Sequence, residues 1–349
     1  MRHWHLPVAV VVLAAVYLNL RGHLPSAHSV GVALASAGVG WIVAAAACQA
    51  VSLAMFAYQQ RWLLHAVGAH LSVPRAMAVT YARMAIVISM PAGGALSAGY
   101  AFQQYRRAGA GNHQAAAVTV LSAIVSVLGL GGLCVAGAAA AVVASPDTAL
   151  DQQPTLVYVA AGTLVLACGG WWLLGSASGS GARRRLGRAW LGGGRAADAT
   201  AAAEAEAEGE ATRSGRWRDR LRATAREAVD AARSIRPVDL VAGSAFAAGS
   251  WLFDAVCLMC SAAAFRLPVS VLTVATLYLA IQVVLQIPTT PGGIGVVEAA
   301  LLAGLTHAGV AAAPAAAAIL TYRVLSCWAL IPLGGLAWLG LRRPPRHRT

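Results

Sequence analysis

The chain has 349 residues, of which 58% are hydrophobic and only 11% charged, with a mean hydropathy of +0.65. Its apolar runs are too long for a soluble core, which excludes a water-soluble globular domain and predicts an all-α, polytopic helical membrane protein. The formal net charge is +13, and all 26 basic residues are arginines. They sit in loops, tails and one linker beside apolar segments, so anionic phospholipid headgroups are the expected partners, and no nucleic-acid motif is present. A genome rich in G and C accounts for the absence of lysine equally well.

The start, Met1-Arg2-His3-Trp4-His5 followed by apolar residues 6–20, resembles a signal sequence. No small-x-small cleavage site follows, so it is read as a first membrane segment. A second apolar segment, 30–57, makes a hairpin with it. Next, Arg61 and Trp62 stand side by side in the stretch from Tyr58 to His65, as they do at headgroup level. Residues 74–102 are apolar but carry Arg83 and the break Pro91-Ala92-Gly93-Gly94, ending at Tyr105-Arg106-Arg107. Proline and glycine cannot continue a helix there, so the segment either crosses with a kink or enters and returns. Residues 114–144 and 155–175 are two clear spans, separated by a loop with Asp147 and Asp151 and no arginine.

Residues 176–236 differ in kind: Gly/Ser/Ala-rich, then arginines, then an Ala/Glu run. The last part places Trp217, Leu221, Ala228, Ala232 and Ile235 at roughly helical spacing among arginines. That pattern reads either as an amphipathic helix lying on an anionic surface or as a solvated charged helix. Apolar segments resume at 238–264, 269–287, 294–310 and 315–341. The organisation is thus an N-terminal membrane half (1–175), a linker (176–236), a C-terminal membrane half (237–341) and a basic tail (342–349), about eight transmembrane segments in all. The positive-inside rule puts linker and tail in the cytoplasm of a multi-pass cell-membrane protein, with the Asp147/Asp151 loop outside.

The second half has its own break, Pro288-Thr289-Thr290-Pro291-Gly292-Gly293-Ile294-Gly295, followed by Glu298. Two broken or re-entrant helices in corresponding halves point to a binding site near the bilayer midplane, and an opposed pair would be an inverted repeat. Ionisable groups inside apolar segments are costly and are candidates by default: Arg83, Asp254, Glu298 and Arg323. Glu298 has a second reading, as a first-turn acid stabilising its own helix. Arg323 either pairs with Glu298 or Asp254 or holds a lipid phosphate. Arg83 has no acidic partner in its half, which favours an anionic ligand. Gln282 and Gln286 either line a polar path or make a helix–helix hydrogen bond. The glycine pairs either turn backbone N–H groups toward a headgroup or only permit close helix packing.

The six cysteines all lie in apolar segments, where they pack as small hydrophobes; no disulfide, metal site or cofactor is expected. Cys257-x-x-Cys260 has no second pair to complete a site. No nucleophile elbow, metalloprotease motif or phosphate loop is present, so no catalytic residues are assigned and the chain is not expected to be an enzyme.

The stretch Ile287 to Ala299, the upstream Trp251…Asp254, the downstream Tyr322-Arg323…Ser326-x-Trp328, and Pro91-Ala92-Gly93-Gly94 with Tyr105-Arg106-Arg107-Ala108-Gly109 resemble the lysylphosphatidylglycerol synthase transmembrane region family, also called flippase-like. The resemblance covers nearly the whole chain except 176–236. It implies a membrane part that moves aminoacylated phosphatidylglycerol or related lipids between leaflets, without the separate soluble domain that performs aminoacyl transfer in full-length synthases. Many members carry a Gly-Glu-x-x-Arg-like stretch where this chain has Gly93-Gly94-Ala95-Leu96-Ser97. The lipid-binding and transport residues expected are Arg83 and Arg323 on phosphate, Asp254 and Glu298 for charge balance or a coupling proton, and Pro91, Gly93, Gly94, Pro288, Pro291, Gly292 and Gly293 shaping the site. The rival expectation is a non-transporting accessory or scaffold subunit for a lipid-modifying or glycosyltransfer enzyme. A second copy of the chain, or such an enzyme, is the candidate protein partner.

Overall fold

The structure, a computed structural model, describes residues 27–90, 93–144, 236–285 and 291–342. All regular elements among the described residues are helical. They are α1 (Ala27–Ala35), α2 (Val39–Ala66), α3 (Val73–Ser89), α4 (Gly93–Arg107), α5 (Asn112–Ala144), α6 (Pro237–Ala264), α7 (Val271–Val284), α8 (Val296–His307), α9 (Ala312–Arg323) and α10 (Leu330–Arg342). A short 3-10 turn, Pro291–Gly293, precedes α8, and a π-helical turn, Val324–Trp328, joins α9 to α10. Four of these stretches are long and apolar enough to cross a membrane: Val39–Ala66, Asn112–Ala139, Pro237–Ala264 and Ala312–Arg342. The predicted segments 6–20 and 155–175, the linker and all of the tail after Arg342 lie outside the described residues. Among the described residues the expected segments take the form of four candidate spans with shorter apolar helices between them.

One predicted element changes outright. The run 30–57 is two helices, α1 and α2, and α2 continues through the stretch expected at headgroup level as far as Ala66. The reason is local. Ser36 turns its hydroxyl back onto the Ala33 carbonyl at 2.7 Å, and Gly38 takes an extended conformation as the N-cap of α2. The Gly38 N–H then donates to the Ala264 carbonyl at 2.9 Å, so the opened backbone is satisfied by α6.

The two halves repeat each other. Helices α2 and α6 are both 28 residues long, and each is followed by a serine N-cap, Ser72 or Ser270, that starts a shorter helix. Helices α4 and α8 both end on a glycine in the left-handed region, Gly109 (φ 94°) and Gly309 (φ 87°). In both, the residue after that glycine donates its N–H back into the last turn: Ala110 to the Tyr105 carbonyl and Val310 to the Leu305 carbonyl.

How the halves meet is decided by α2 and α6, which pack along their whole length. Gly38 meets Ala264 at one end, and the Trp62 indole N–H donates to the Asp239 carboxylate (3.1 Å) at the other. The two helices are therefore antiparallel. At their midpoints Ser52 donates to the Ser250 carbonyl (2.9 Å), and the two serines are 198 residues apart. Each is the counterpart of the other, so a local two-fold axis passes between them, perpendicular to both helices. For two membrane-crossing helices such an axis lies in the membrane plane, the arrangement of an inverted repeat.

The broken segments follow the same symmetry. Each folds back on itself: Arg83 of α3 bonds Ser97 of α4 (3.2 Å), and Gly304 of α8 packs against Leu277 of α7. At 1.5 Å per residue, α3 and α4 are about 25 and 22 Å long and α7 and α8 about 21 and 18 Å, each short of a ~30 Å hydrocarbon core. The α3–α4 hairpin opens at the end where α2 finishes, and the α7–α8 hairpin where α6 finishes. Their tips meet in the middle: the backbone of Gly292 comes so close to Ile88 that a Cβ there would lie 3.2 Å from the Ile88 Cα. Helix α10 crosses back to pack on α3, and α5 contacts α7 through Gly137 and Leu279, so the last described helix of each half braces the other half's hairpin.

Charge is distributed unevenly between the two ends. Arg61, Arg75, Arg106, Arg107, Arg236 and Arg342 belong to the end where the α3–α4 hairpin opens, whereas Arg266 lies at the other.

The α3–α10 contact depends on one small residue. A Cβ on Gly334 would run into the Tyr81 carbonyl oxygen and the Ala85 side chain, whereas one on Gly335 meets open space. Gly334→Ala is expected to destabilise the protein by about 1–3 kcal/mol, the cost of overpacking. Gly335→Ala is expected to be neutral or slightly stabilising, since alanine is the better helix former. Thermal unfolding of the two variants in detergent checks the pair, and equal midpoints would be incompatible with this packing.

Candidate functional site

The hairpin tips and the α2–α6 axis enclose one large cavity of about 900 Å³. Its wall takes Gly93 and Gly94 from the first tip, Gly292 and Gly293 from the second, Ser52 and Gln49 from α2, and Ser250 and Asp254 from α6. Glycine is required at the second tip on geometric grounds. Gly292 (φ 60°), Gly293 (φ 65°) and Gly295 (φ 87°) are all in the left-handed region, where an L side chain is strained.

A single ion pair holds that tip open. Arg323, 5% exposed, donates its Nε to the Glu298 Oε1 at 2.5 Å and an Nη to the Gly292 carbonyl at 3.0 Å. The other Glu298 oxygen accepts the Gly295 N–H at 2.7 Å, closing the start of α8. Two backbone groups freed by the Pro-Gly-Gly break are thus satisfied by one arginine and one carboxylate. Both sequence readings of Glu298 and the pairing reading of Arg323 meet here: Glu298 is a first-turn acid and also Arg323's partner. Arg323 lines the cavity as well, with its Nε and one Nη given to the tip.

The π-helical turn follows Arg323 directly, with the Ala329 N–H donating to the Val324 carbonyl at 2.8 Å. Pro332, one turn into α10, has no N–H to give and would crowd the carbonyl four residues before it. The wider turn takes up that mismatch and brings Ser326 and Cys327 to the cavity wall along with Tyr322 and Arg323.

Asp254 is held differently. Its Oδ2 accepts from the Tyr278 hydroxyl (2.7 Å), the Tyr322 hydroxyl (3.1 Å) and the Gln282 amide (3.2 Å). All three donors are neutral, so this intramembrane carboxylate is stabilised by hydrogen bonds, and among the described residues no cation pairs with it. Gln282 both lines the cavity and makes a helix–helix hydrogen bond, joining the two readings that its sequence position left open.

Arg83 lies behind the cavity wall. Its guanidinium sits 5.5 Å from the centre of the Phe56 ring, and Phe56 itself faces the cavity. It donates to Ser97 at 3.2 Å and to the Tyr105 hydroxyl at 3.4 Å. Tyr105 in turn donates to Gln60 at 2.7 Å. Among the described residues no carboxylate pairs with Arg83. The structure thus brings Asp254, Arg323 and the four glycines to one cavity, keeps Glu298 one bond away through Arg323, and leaves Arg83 one side chain back. Pro91, Pro288 and Gln286 fall outside the described residues, and Pro291 opens the 3-10 turn. Sequence reasoning missed Tyr278 and the role of Tyr322. The available signals were the one-turn spacing of Tyr278 and Gln282 on an otherwise apolar helix, and the position of Tyr322 beside an intramembrane arginine.

Removing one partner of the tip ion pair leaves an uncompensated charge and an orphaned carbonyl. Arg323→Ala is expected to cost about 3 kcal/mol, the low end for a buried pair, because Glu298 keeps 24% of its side-chain surface. Adding Glu298→Ala should cost much less than the sum of the two single changes. A double-mutant cycle on unfolding midpoints measures this coupling, and additive losses would mean that the two residues do not act together.

A family model described as the lysylphosphatidylglycerol synthase TM region matches residues 4–334. No curated protein matches the chain. The match runs through both hairpin tips, the α2–α6 axis and the Asp254 and Arg323 clusters, and the chain belongs to the lysylphosphatidylglycerol synthase TM region family, as a membrane protein linked to lipid handling.

Proposed function

We propose that the protein translocates a phospholipid, anionic or aminoacylated, between the leaflets of a bacterial cell membrane. The headgroup passes through the central cavity while the acyl chains stay in lipid. One observation carries the reading: two re-entrant hairpins of opposite entry, related by an in-plane axis, present their tips to the same cavity. Half-membrane hairpins meeting at a fixed site are what alternating access needs, since either end can open while the site stays in place.

The side chains suit that task. Gln49, Ser52, Ser250 and Gln282 offer neutral hydrogen bonds to headgroup oxygens. Asp254 has no paired cation among the described residues and can accept an ammonium group or a coupling proton. Arg323 lines the cavity with one Nη beyond those bonded to the tip, and Arg83, paired with no carboxylate among the described residues, stands behind Phe56 as a second cation for a phosphate. The end rich in arginines faces the cytoplasm by the positive-inside rule, which sets the linker and C-terminus there as well. No enzymatic role is assigned.

Leaflet exchange of labelled phosphatidylglycerol and its lysylated form, in vesicles holding the purified full chain, tests the proposal. The wild type is expected to exchange lipid. Asp254→Asn keeps the shape and the ability to accept hydrogen bonds but loses the charge, and should slow exchange at least tenfold with an unchanged unfolding midpoint. A wild type that exchanges neither lipid overturns translocation and leaves the accessory-subunit role. In a cysteine-free background, a membrane-impermeant thiol reagent added outside the cell should reach His307→Cys and not Arg75→Cys. The reverse pattern would invert the orientation.

A further inference from the structure

The C-terminal ends of α4 and α10 enclose a second, smaller crevice of about 120 Å³, at the arginine-rich end and apart from the central cavity. Tyr100, Gln104 and Arg107 line it from α4, and Trp338 and Arg342 from α10. We propose that this crevice binds the phosphate group of an anionic phospholipid resident in the leaflet at that end.

The chemistry is cationic and unanswered. The Arg342 guanidinium stacks on the Trp338 ring at 3.4 Å from its centre. Stacking fixes the guanidinium plane and leaves its N–H edge free for a planar, two-pronged acceptor. Arg107 lines the same crevice, and Arg75 stands close enough to act electrostatically on Tyr100 together with Arg107 and Arg342. Among the described residues none of these three arginines makes an ion pair. Two cations lining one crevice with no carboxylate among the described residues repel one another, and an anion removes that cost.

A second observation points to a ligand. Gln104 is 2% exposed; its side-chain oxygen is buried with no hydrogen-bond partner, and the Tyr100 hydroxyl one turn before it on the same wall is buried without one as well. Such an orphaned acceptor is costly unless something donates to it. A phosphodiester whose alcohol carries a free hydroxyl answers both demands, with phosphate oxygens to the guanidinium forks and the hydroxyl to Gln104.

Position favours a lipid over free phosphate. The outer face of α10 carries Leu336 (68% exposed) and Leu339 (54% exposed), one turn from the crevice. Apolar side chains that bare belong in hydrocarbon, and a tryptophan beside arginines at the helix end marks the headgroup level. The crevice therefore lies where a phospholipid phosphate already is.

Native mass spectrometry of the full chain in mild detergent, titrated with phosphatidylglycerol, reads this site directly. The wild type should retain one more phosphatidylglycerol than R107Q/R342Q, whose affinity for that molecule should fall at least tenfold. Asp254→Asn, in the central cavity, should retain it, so loss of translocation and loss of this site are separate results. Phosphatidylcholine should not replace it, and millimolar inorganic phosphate should not displace it. Retention of the same lipid count by R107Q/R342Q overturns the site, and displacement by inorganic phosphate overturns the lipid as its occupant. Should the double variant fail to fold, Gln104→Leu, which alters no charge, is expected to weaken retention two- to fivefold. No change in that variant also overturns the proposal.

Discussion

A helix that breaks inside a bilayer must find partners for the backbone groups it releases, and here that task falls on Arg323 and Glu298. One guanidinium serves the Gly292 carbonyl and the Glu298 carboxylate, and that carboxylate serves the Gly295 N–H. Everything central depends on this closed loop of bonds. The positive-φ glycines keep their conformation because their backbone is answered, α8 starts where it does because Glu298 caps it, and the cavity keeps its floor because the tip does not collapse. The π-helical turn belongs to the same device, since it follows Arg323 immediately and sets the rotation of the residues after it.

The described residues of the first half are held differently. Ala98 stands two hundred residues before Glu298, and the cation of that half, Arg83, is held by two hydroxyls and an aromatic ring. The duplication has therefore kept its hairpins and helix ends while its halves have separated in electrostatics. The second tip is pinned by a buried ion pair, whereas in the first half Arg83 bonds Ser97 and, through Tyr105, reaches Gln60.

Much of this was legible in the chain. Long apolar runs marked α5, α6 and the continuous α9–α10 span, because nothing but a membrane tolerates them. Proline with paired glycine marked both breaks, because those residues cannot carry a helix through. A pair between Glu298 and Arg323 was one of the alternatives open for Arg323, beside Asp254 and a lipid phosphate, because a charge in lipid demands a partner without saying which. What stayed hidden depends on contacts distant in sequence. The break at Gly38 has no proline to announce it and exists because Ala264 accepts its N–H. In an alanine-rich chain, a small residue facing lipid and one facing a helix look the same, so Gly334 and Gly335 are indistinguishable until α3 is seen against the first of them. The neutral cage around Asp254 was hidden for a related reason: Tyr278 and Tyr322 come from separate helices, and only the fold aims both hydroxyls at one oxygen.

The contact of Ser52 with Ser250 places the axis of the repeat inside the cavity itself. Four residues beyond each serine, on the same wall, stand Phe56 in one half and Asp254 in the other. A helix pair that maps onto itself when turned over cannot tell up from down. Along α2 and α6 vectoriality is consequently written in side chains, and the benzyl group set opposite a carboxylate is one place where the two faces of the membrane stop being equivalent.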